Sequence, residues 1–475
     1  MSLLYRQIAD HYLIALQEGT LPPQTRFPSV RRLMRDHDVS LSTALQACRH
    51  LEDQGWLQAR ARSGYFVQQP RRSRLEPASE KLPPTPPDPA SYVGIHAKVS
   101  AMLALGQQYP VRVNLAQAVC APELYPTQAL QRAAQRVLRQ HPAVLTTMTR
   151  RYGHPALRAV LARRALARGM QISPEEVIVT CGCTEALNLA LRAVARPGDT
   201  IAVESPTFYG MLQMLEALGL RALEIPASPH TGLSLEALEF ALREHADIRA
   251  VMVMPNLQNP LGSTMPDARK QALVQLCEAH DVALIEDDIY SETALGDAPL
   301  KPAKAFDRSG RVIHCASLNK VLAPGLRLGW MLGGRWQARI EMLKYSQSRY
   351  TDELPQRLTA DLIESPAYDR HLLHLRATLQ RQREQTAEAI AAYFPSGTRL
   401  SVPSGGFLLW VELPEASSGD RVFEAALARG IRISPGSMFT NGQRFDGFVR
   451  IGCGLPFTAE TDAAVRTIGD IVRAG

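Results

Sequence analysis

The segment SLNKVLAPGLRLGW, residues 317–330, is the most specific pattern in the chain. A serine stands three positions before a lysine, and a Pro-Gly step then leads to an arginine. The segment follows an apolar run, residues 312–315, which has the length expected for a buried strand. No structural need explains a Ser-x-x-Lys pattern ahead of a Gly-x-Arg loop. The segment therefore predicts a functional site at the end of this strand.

Other short apolar runs precede this segment and alternate with amphipathic helical stretches such as residues 186–194 and 268–280. These runs lie at residues 177–179, 201–203, 251–254 and 282–285. Strands that alternate with helices predict an α/β fold, in which a mainly parallel sheet is covered by helices on both faces. In such sheets ligands bind beyond the carboxyl ends of the strands.

Each of these runs leads to residues that can carry chemistry. Gly182-Cys183-Thr184 opens a helix, where free backbone N–H groups and a hydroxyl can hold a phosphate. The later runs lead to an aromatic ring, an amide, an acid and a phenol, from Phe208, Asn259, Asp287 and Tyr290. Each alone is weak, since an Asn-Pro step is usually a turn and a lysine is usually on the surface. Together, in this order, they predict one site along one edge of the sheet.

The motifs resemble the fold-type I pyridoxal-phosphate (PLP) enzymes of the class I and II aminotransferase group, over nearly all of residues 95–475. The matching motifs are TCGCTEAL (180–187), ESPTFYG (204–210), PNLQNPLG (255–262), EDDIYSE (286–292) and SLNKVLAPGLRLGW (317–330). The resemblance implies PLP as the cofactor of an aminotransferase-like domain at residues 92–475. It also implies a large part, about residues 125–355, and a smaller α+β part, about residues 92–124 and 356–475.

The resemblance implies roles for the residues that would meet the cofactor ring. Lys320 would form the Schiff base with the cofactor aldehyde, and Asp287 would keep the pyridine nitrogen protonated, so that the ring works as an electron sink. Asn259 and Tyr290 would hydrogen-bond the ring hydroxylate. Phe208 would stack on the ring, although a place in the ordinary core is an open alternative for this side chain.

The cofactor phosphate would lie on the backbone amides of Cys183 and Thr184, next to Gly182. Ser317 and the guanidinium of Arg327 would complete this phosphate site. No metal site is predicted. The chain's seven cysteines are scattered, without a spacing that suggests zinc or disulfides.

Near the end of the chain, FVRI at residues 448–451 resembles the strand whose arginine grips the α-carboxylate of an amino acid. Arg450 would take that role, and a structural ion pair is the open alternative. Glu286 and Asp288 flank the predicted pyridine partner. We expect both acids to lie on the surface of a turn rather than to contact the cofactor.

Two positions depart from the family pattern. A tyrosine that reaches the phosphate of the neighbouring subunit usually stands five residues before Gly153, and here that position is Met148, although Tyr152 lies close. The segment VNLAQAVCAPELYP, residues 113–126, places Cys120 where proline or another small residue is common. The first departure puts the contact across the subunit interface in doubt.

The first part of the chain has a different character. Residues 1–74 contain eleven Arg and six acidic residues, so a local net charge of +5 accounts for most of the +7 of the whole chain. Apolar residues at helical spacing predict a first helix. Ser29 and Ser40 are suited to cap two further helices, and two short strands at residues 56–60 and 64–67 would follow. Helix, turn, helix and hairpin form a DNA-reading arrangement.

This region, FPSVRRLMRDHDVSLSTALQACRHLEDQGWLQARARSGYFV at residues 27–67, resembles the GntR-type winged helix-turn-helix. The resemblance covers about residues 1–69. It implies that Arg31 contacts phosphate, that the start of the recognition helix reads bases, and that the glycine of the wing approaches the DNA backbone. The residues concerned are Arg31, Ser42, Thr43, Gln46, Arg62 and Gly64.

The sequence departs from this family at Leu41, where an arginine that contacts DNA is usual. Leu41 could touch a thymine methyl group, or one contact could be lost. For Arg31 and Arg62 a plain solvated surface is the alternative, and for Ser42 and Thr43 an ordinary helix surface.

Between these parts lies QQPRRSRLEPASEKLPPTPPDPAS, residues 68–91, with seven prolines. Proline removes backbone donors and fixes φ, so this stretch is predicted to be an extended, semi-rigid spacer, with the linker at residues 70–91. No apolar run approaches the roughly 18 residues of a membrane span, and the start of the chain has no signal-peptide pattern. We therefore expect a cytoplasmic protein.

A GntR-type head on an aminotransferase-like body resembles the MocR type of bacterial regulator. This predicts a PLP-dependent transcription regulator that binds double-stranded promoter DNA, as a homodimer. Its body would sense PLP, an amino compound or both through formation of an external aldimine. The alternative is a metabolic aminotransferase with an accessory DNA-binding domain, and the residues for transamination are present. A scaffold that has lost the cofactor is disfavoured by the retained Lys320, Asp287, Asn259 and Arg327.

Overall fold

The computed structural model describes residues 4–17, 20–60, 63–68, 75–78, 90–296, 298–415 and 417–475. The chain divides into two compact units, Met1–Arg74 and Leu75–Gly475. Among the described residues, no helix is both long enough and apolar enough to cross a membrane.

The first unit has the predicted succession of three helices and a hairpin. Its elements are α1 (Leu4–Gln17), α2 (Val30–His37), α3 (Leu41–Asp53), β1 (Leu57–Arg60) and β2 (Gly64–Val67). The strands pair antiparallel, with Leu57 opposite Val67 and Arg60 opposite Gly64. Ser29 caps α2 and Ser40 caps α3, each by accepting a backbone N–H of the first turn. Each cap stabilises its helix by about 1 kcal/mol.

The helices of the second unit surround two groups of strands. The helices are α4 (His96–Gln108), α5 (Thr127–Gln140), α6 (Pro155–Ala167), α7 (Gly182–Val194), α8 (Tyr209–Ala217), α9 (Leu235–Glu244), α10 (Asp267–Ala279), α11 (Gln337–Gln347), α12 (Glu353–Ile363), α13 (Pro366–Tyr393), α14 (Gly419–Leu427) and α15 (Ala459–Ala474). The strands are β3 (Ser91–Tyr92), β4 (Val113–Asn114), β5 (Val177–Thr180), β6 (Thr200–Ser205), β7 (Arg221–Ser228), β8 (Gly232–Leu233), β9 (Ile248–Val253), β10 (Ala283–Asp287), β11 (Val312–Ser317), β12 (Gly329–Leu332), β13 (Arg399–Ser401), β14 (Leu408–Glu412), β15 (Ile431–Arg432), β16 (Ser434–Pro435) and β17 (Phe448–Gly452).

The main sheet has the strand order β3-β7-β6-β9-β10-β11-β12-β5, with β8 paired to β7. The strands from β7 to β11 in this order are parallel, whereas β12 runs antiparallel to both its neighbours. Every residue of β5, β6, β10 and β11 is buried, because separate apolar cores cover the two faces. The predicted α/β fold with a mainly parallel sheet is therefore confirmed. We call this sheet and its covering helices the large lobe.

A second, antiparallel sheet has the order β13-β14-β17-β16 and packs with α13, α14 and α15. We call this assembly the small lobe. The short strand β4 pairs in parallel with β15 and ties the segment before the large lobe to this part of the unit.

The second unit begins inside the stretch that the sequence predicts to be a spacer. Residues 75–78 lie along β13, where Leu400 N donates to Glu76 O at 2.7 Å and Ala78 N donates to Ser401 Oγ at 3.0 Å. At the other end of the spacer, Ser91 already pairs with Ala222 at the edge of the main sheet. Pro77 permits the first pair of contacts because it lies between Glu76 and Ala78, which supply the carbonyl oxygen and the N–H of these hydrogen bonds.

Candidate cofactor site and DNA-binding face

The strand order brings the predicted site residues to one edge of the large lobe. Strands β6, β9, β10 and β11 are parallel neighbours, so their carboxyl ends meet there. Asp287 ends β10 and Ser317 ends β11, and Phe208 and Asn259 follow β6 and β9 within a few residues. Strand β12 brings the end of β5 to the same edge, because Gly329 lies opposite both Ser317 and Thr180.

Lys320 lies in the loop after β11 with its amine directed into the unit. Its Nζ donates to the carbonyl oxygen of Ala118 at 2.6 Å and lies 5.4 Å from the centre of the Tyr290 ring. Burial lowers the pKa of Lys320 to about 8, with a contribution from the Arg450 cation, although the Asp287 carboxylate acts in the opposite direction. A lysine with a lowered pKa is a stronger nucleophile near neutral pH, because more of it is unprotonated.

This pKa predicts when the amine reacts. In trace labelling of the PLP-free chain with acetic anhydride, acetylation of Lys320 is expected to reach half its plateau at about pH 8. Mass spectrometry of the peptide containing Lys320 measures this midpoint. Arg450→Gln should move the midpoint to higher pH, because it removes a neighbouring positive charge. A midpoint near 10.5, the ordinary lysine value, would contradict the arrangement.

Asp287 is buried at the end of β10. The thiol of Cys183 donates to its Oδ1 at 3.4 Å, and the backbone N–H of Ile289 donates to the same oxygen at 3.3 Å. Burial raises the pKa of Asp287 to about 7, although the Cys183 hydrogen bond lowers it. A carboxyl group with this pKa exchanges its proton near neutral pH.

Gly182, Asn319 and Arg327 converge where the sequence predicts a phosphate site. Gly182 has a φ of +77°, and a Cβ built on it would lie 3.2 Å from Arg327 Nη2 and 3.4 Å from Asn319 Nδ2. The missing side chain therefore leaves space between a helix N-terminus and two donors. Ser317 is buried at the end of β11, and Cys183 and Thr184 lie in the first turn of α7.

Arg450, on β17 of the small lobe, is buried and reaches the large lobe. Its Nη1 donates to Asn259 Oδ1 at 2.8 Å, and its Nη2 donates to Ala116 O at 2.5 Å and Ser434 Oγ at 3.2 Å. Its Nε is buried without a hydrogen-bond partner among the described residues. Among the residues that the structure describes, Arg450 donates no hydrogen bond to a carboxylate. This argues against the alternative that Arg450 forms a structural ion pair.

The two predicted aromatic contacts differ in burial. Tyr290 is 1% exposed, and burial raises its pKa well above the usual range. Phe208 is only partly buried, and its ring centre lies 4.7 Å from that of Tyr209. A Cβ on Gly210 would lie 2.5 Å from the Phe208 ring, so the absence of a side chain there allows the ring its position.

The expectation that Glu286 and Asp288 lie on the surface is wrong, because both are buried. Glu286 accepts the backbone N–H of Ala303 at 2.6 Å and lies 3.1 Å from His314 Nδ1. Asp288 pairs with Arg168 at 2.5 Å. These partners are distant in sequence, and they compensate the burial of the two charges.

Several groups at this site have no role predicted from the sequence. Ala118 O contacts the Lys320 amine, Ser434 contacts Arg450, and Asn319 lies beside Gly182 with its Oδ1 buried and without a partner among the described residues. Asn319 is next to the lysine in the motif, and that adjacency could have identified it. Met148 is 75% exposed in this single chain.

On the first unit, α3 buries small apolar residues and presents a polar face. Ser42, Gln46 and Arg49 are exposed at spacings of four and three, so they share one side of the helix. Arg49 was not among the predicted DNA contacts, although the same spacing could have identified it. Arg31 is exposed in the first turn of α2, so the predicted cation and the polar face of α3 are both open to solvent.

The remaining predicted DNA contacts differ in position. Thr43 is only half-buried, and its hydroxyl lies 2.9 Å from that of the cap residue Ser40. Gly64 is exposed with a φ of +91° at the start of β2, which suits a tight wing turn. Leu41 is 53% exposed at the start of α3. Arg62 lies outside the described residues.

Comparison with known proteins agrees with this two-part architecture. Residues 114–468 match the family model of aminotransferase class I and II, and residues 4–67 match that of bacterial regulatory proteins of the gntR family. The chain is 35% identical, over 472 residues, to the uncharacterized HTH-type transcriptional regulator YdcR of Escherichia coli (strain K12). The match covers 99% of both chains.

Two solved structures share the fold of the body. One is the kynurenine aminotransferase of Pyrococcus horikoshii in complex with PMP, at a TM-score of 0.74 and 26% identity, covering 79% of this chain and 94% of that one. The other is LysN, the α-aminoadipate aminotransferase of Thermus thermophilus, complexed with N-(5'-phosphopyridoxyl)-L-leucine. Its TM-score is 0.72 at 26% identity, and the match covers 80% of this chain and 95% of that one. The chain therefore belongs to the aminotransferase class I and II family and, because a gntR-type domain precedes that body, to the MocR type of bacterial transcription regulator.

Proposed function

We propose that this regulator binds promoter DNA through residues 1–69 and senses PLP, an amino compound or both in its aminotransferase-like body. The observation that carries the proposal is the meeting of Lys320, Asp287 and Arg450 beneath one edge of the main sheet, in a chain whose first unit is a winged helix-turn-helix. A metabolic aminotransferase is the weaker alternative, because a catabolic enzyme has no use for a recognition helix and wing.

The residues present fit PLP. The space left by Gly182, next to Arg327 and Asn319, suits a phosphate at a helix N-terminus. Asp287 would hold a proton at the pyridine nitrogen, and Lys320 would supply the amine for covalent attachment. When bound, the cofactor acts as an electron sink for an attached amino compound. Ser317, Cys183, Thr184, Phe208, Asn259 and Tyr290 would complete its surroundings.

Arg450 would set the class of amino compound that is sensed. Its position supports recognition of an α-carboxylate, since its Nε has no hydrogen-bond partner among the described residues and the fork of a guanidinium matches a carboxylate. The Asn259 amide and the Ala116 carbonyl hold the guanidinium in place. The proposed effector is therefore an amino acid rather than a simple amine.

The DNA-binding part of the proposal rests on exposed groups of α2 and α3. Arg31 would contact a phosphate, and Ser42, Thr43 and Gln46 would face base edges in the major groove. Gly64 and Arg62 of the wing would approach the DNA backbone. One helix-turn-helix reads half a site, so we propose a homodimer that recognises repeated half-sites.

Arg31→Ala is expected to weaken binding to a random-sequence duplex and to reduce the slope of log affinity against log salt by about one unit. The physical reason is the loss of one phosphate contact and of the counterion that it releases. Fluorescence anisotropy at several salt concentrations measures the slope. Arg6→Ala, on α1, removes the same charge outside the predicted contacts and should change the slope less. Equal slopes for the two variants would contradict the role of Arg31.

The proposed function is tested by incubating the full chain, with PLP, with fragments of its own genome and sequencing those that it retains. We expect retained fragments to lie upstream of genes and to share a repeated half-site, and light scattering to give the mass of a dimer. Retained fragments without a shared sequence would contradict a regulatory role. A monomer at working concentration would contradict the homodimer.

A further inference from the structure

A cavity of about 650 Å³ lies in the second unit, apart from the predicted cofactor residues. Its apolar wall comes from both lobes, through Pro206, Pro226 and Leu261 on one side and Trp410 and Phe448 on the other. The Trp410 and Phe448 rings stack on each other with their centres 5.2 Å apart and an angle of 14° between their planes. Cavities of this size and composition bind small molecules with a substantial apolar body.

Arginine side chains are among the charged groups of this cavity. Arg269 and Arg444 both line it. The hydrogen bonds of Arg269 to described residues use Nη2 alone, to Leu233 O at 3.4 Å and to Glu236 Oε2 at 3.5 Å, and both are long. The Nε atom of Arg269 is buried and has no hydrogen-bond partner among the described residues. The Arg269 guanidinium therefore keeps donors that an anionic group could use.

The acidic residues of the cavity already accept hydrogen bonds from neighbouring serine hydroxyls. Glu236 accepts the hydroxyl of Ser234 at 3.0 Å, and its side chain is 76% exposed to solvent. Asp446 accepts the hydroxyl of Ser418 at 3.2 Å. Water screens these exposed carboxylates, whereas Arg269 is largely enclosed, with 28% of its side chain exposed. The cavity therefore favours a ligand with an anionic end.

We propose that this cavity binds a small amphipathic carboxylate, with an aromatic or branched apolar body, as a second effector of the regulator. The apolar body would lie against Trp410, Phe448 and Leu261, and the carboxylate would meet Arg269. The regulatory part of the inference rests on the proposed function.

The cavity is connected to the cofactor site through two short paths. Gln258 Nε2 donates to the carbonyl oxygen of Pro206 at 2.7 Å, and Gln258 directly precedes Asn259. On the small lobe, the ring centre of Trp410 lies 5.4 Å from that of Phe439, and Phe439 lies 5.0 Å below the Arg450 guanidinium. A ligand in this cavity could therefore shift the positions of Asn259 and Arg450 through these contacts, without touching either residue.

The cavity also touches the segment that enters the second unit. Ala78 lines it, and this residue is held on β13 by the hydroxyl of Ser401. A single ligand would therefore contact the large lobe, the small lobe and the start of the body. Such a position allows a ligand to favour one arrangement of these parts, which is the requirement for an effector.

The test uses the full chain with PLP and isothermal titration with two probes, indole-3-acetate and 4-phenylbutyrate. Neither probe carries an amine, so neither can take the place of Lys320 at the cofactor. We expect at least one probe to bind, and Arg269→Gln to weaken that probe by about tenfold or more. Arg249→Gln is the matched control, because Arg249 is exposed on β9 and pairs with Asp199 at 3.7 Å, outside the cavity. This control should bind the probe like the unaltered chain.

Two outcomes would overturn the proposal. The first is that neither probe binds at concentrations up to about 1 mM, which is the weak end of specific binding. The second is that Arg450→Lys abolishes probe binding while Arg269→Gln leaves it unchanged, because the probes would then occupy the proposed amino acid site. The visible spectrum and retention of genomic DNA, measured on the same samples, report the proposed function separately.

Discussion

Lys320→Ala is expected to abolish the absorbance band at about 420 nm that covalent attachment of PLP should give in the unaltered chain. The amine of Lys320 is the group placed among Ala118 O, the Tyr290 ring and the Asp287 carboxylate, and alanine offers no atom for covalent attachment. Added amines should then change the spectrum only as they change that of unattached PLP, because no protein amine is left to be exchanged. Absorbance titration of the variant with PLP, followed by an amino acid panel, measures both effects.

The matched control is Lys301→Ala, which removes an exposed lysine that pairs with Asp267 at 3.5 Å. Its spectrum should be that of the unaltered chain. Binding of Lys320→Ala to a random-sequence duplex should also be unchanged, because this interaction comes from the basic first unit. A Lys320→Ala protein that keeps the band and its response to amines would refute the attachment site.

Arg450→Lys is expected to weaken amino acid binding by about a hundredfold or more, which corresponds to about 3 kcal/mol. The guanidinium of Arg450 contacts Asn259, Ala116 and Ser434 and would also face the carboxylate of the amino acid. Lysine has a single ammonium group and cannot make all of these contacts at once. The measurement is a titration of the cofactor band with an amino acid that shifts it in the unaltered chain.

The same titration is then repeated with the decarboxylated amine of that amino acid. Arg450→Lys should leave the response to this amine nearly unchanged, because the amine has no carboxylate to lose. Arg399→Lys is the control, since Arg399 is a partly exposed arginine of the same small lobe and pairs with Glu76 at 3.7 Å. Equal weakening of the amine and the amino acid would show that Arg450 acts only through packing.

Much of the fold follows from local pattern. The apolar runs at residues 177–179 and 312–315 became β5 and β11, and Ser29 and Ser40 cap the helices predicted for them. These strands and helix caps depend on residues that are close in sequence, so a single stretch of chain is enough to predict each of them. The small-lobe sheet was predicted only through the family resemblance, and its central pair joins strands far apart in sequence, with Leu408 of β14 opposite Gly452 of β17.

The parts of the site that the sequence did not predict depend on distant partners. The Cys183 thiol contacts Asp287 across 104 positions, and Ala118 O meets Lys320 across 202. The burial of Glu286 and Asp288 was missed for the same reason. A carboxylate next to a turn is usually solvated, and only the fold brings Arg168 and His314 to these two acids. Motif spacing predicts which residues form the site, whereas their supporting contacts require the fold.

The central claim is that sensing in the body changes DNA binding by the head. The most direct measurement titrates a retained genomic duplex, by anisotropy, with the unaltered chain and with Lys320→Ala, each with and without a panel of amino acids. We predict that at least one amino acid changes the affinity of the unaltered chain by about fivefold or more, and that Lys320→Ala shows no such change. If Lys320→Ala responds to the same amino acid with the same shift, sensing does not depend on Lys320 and the account is contradicted.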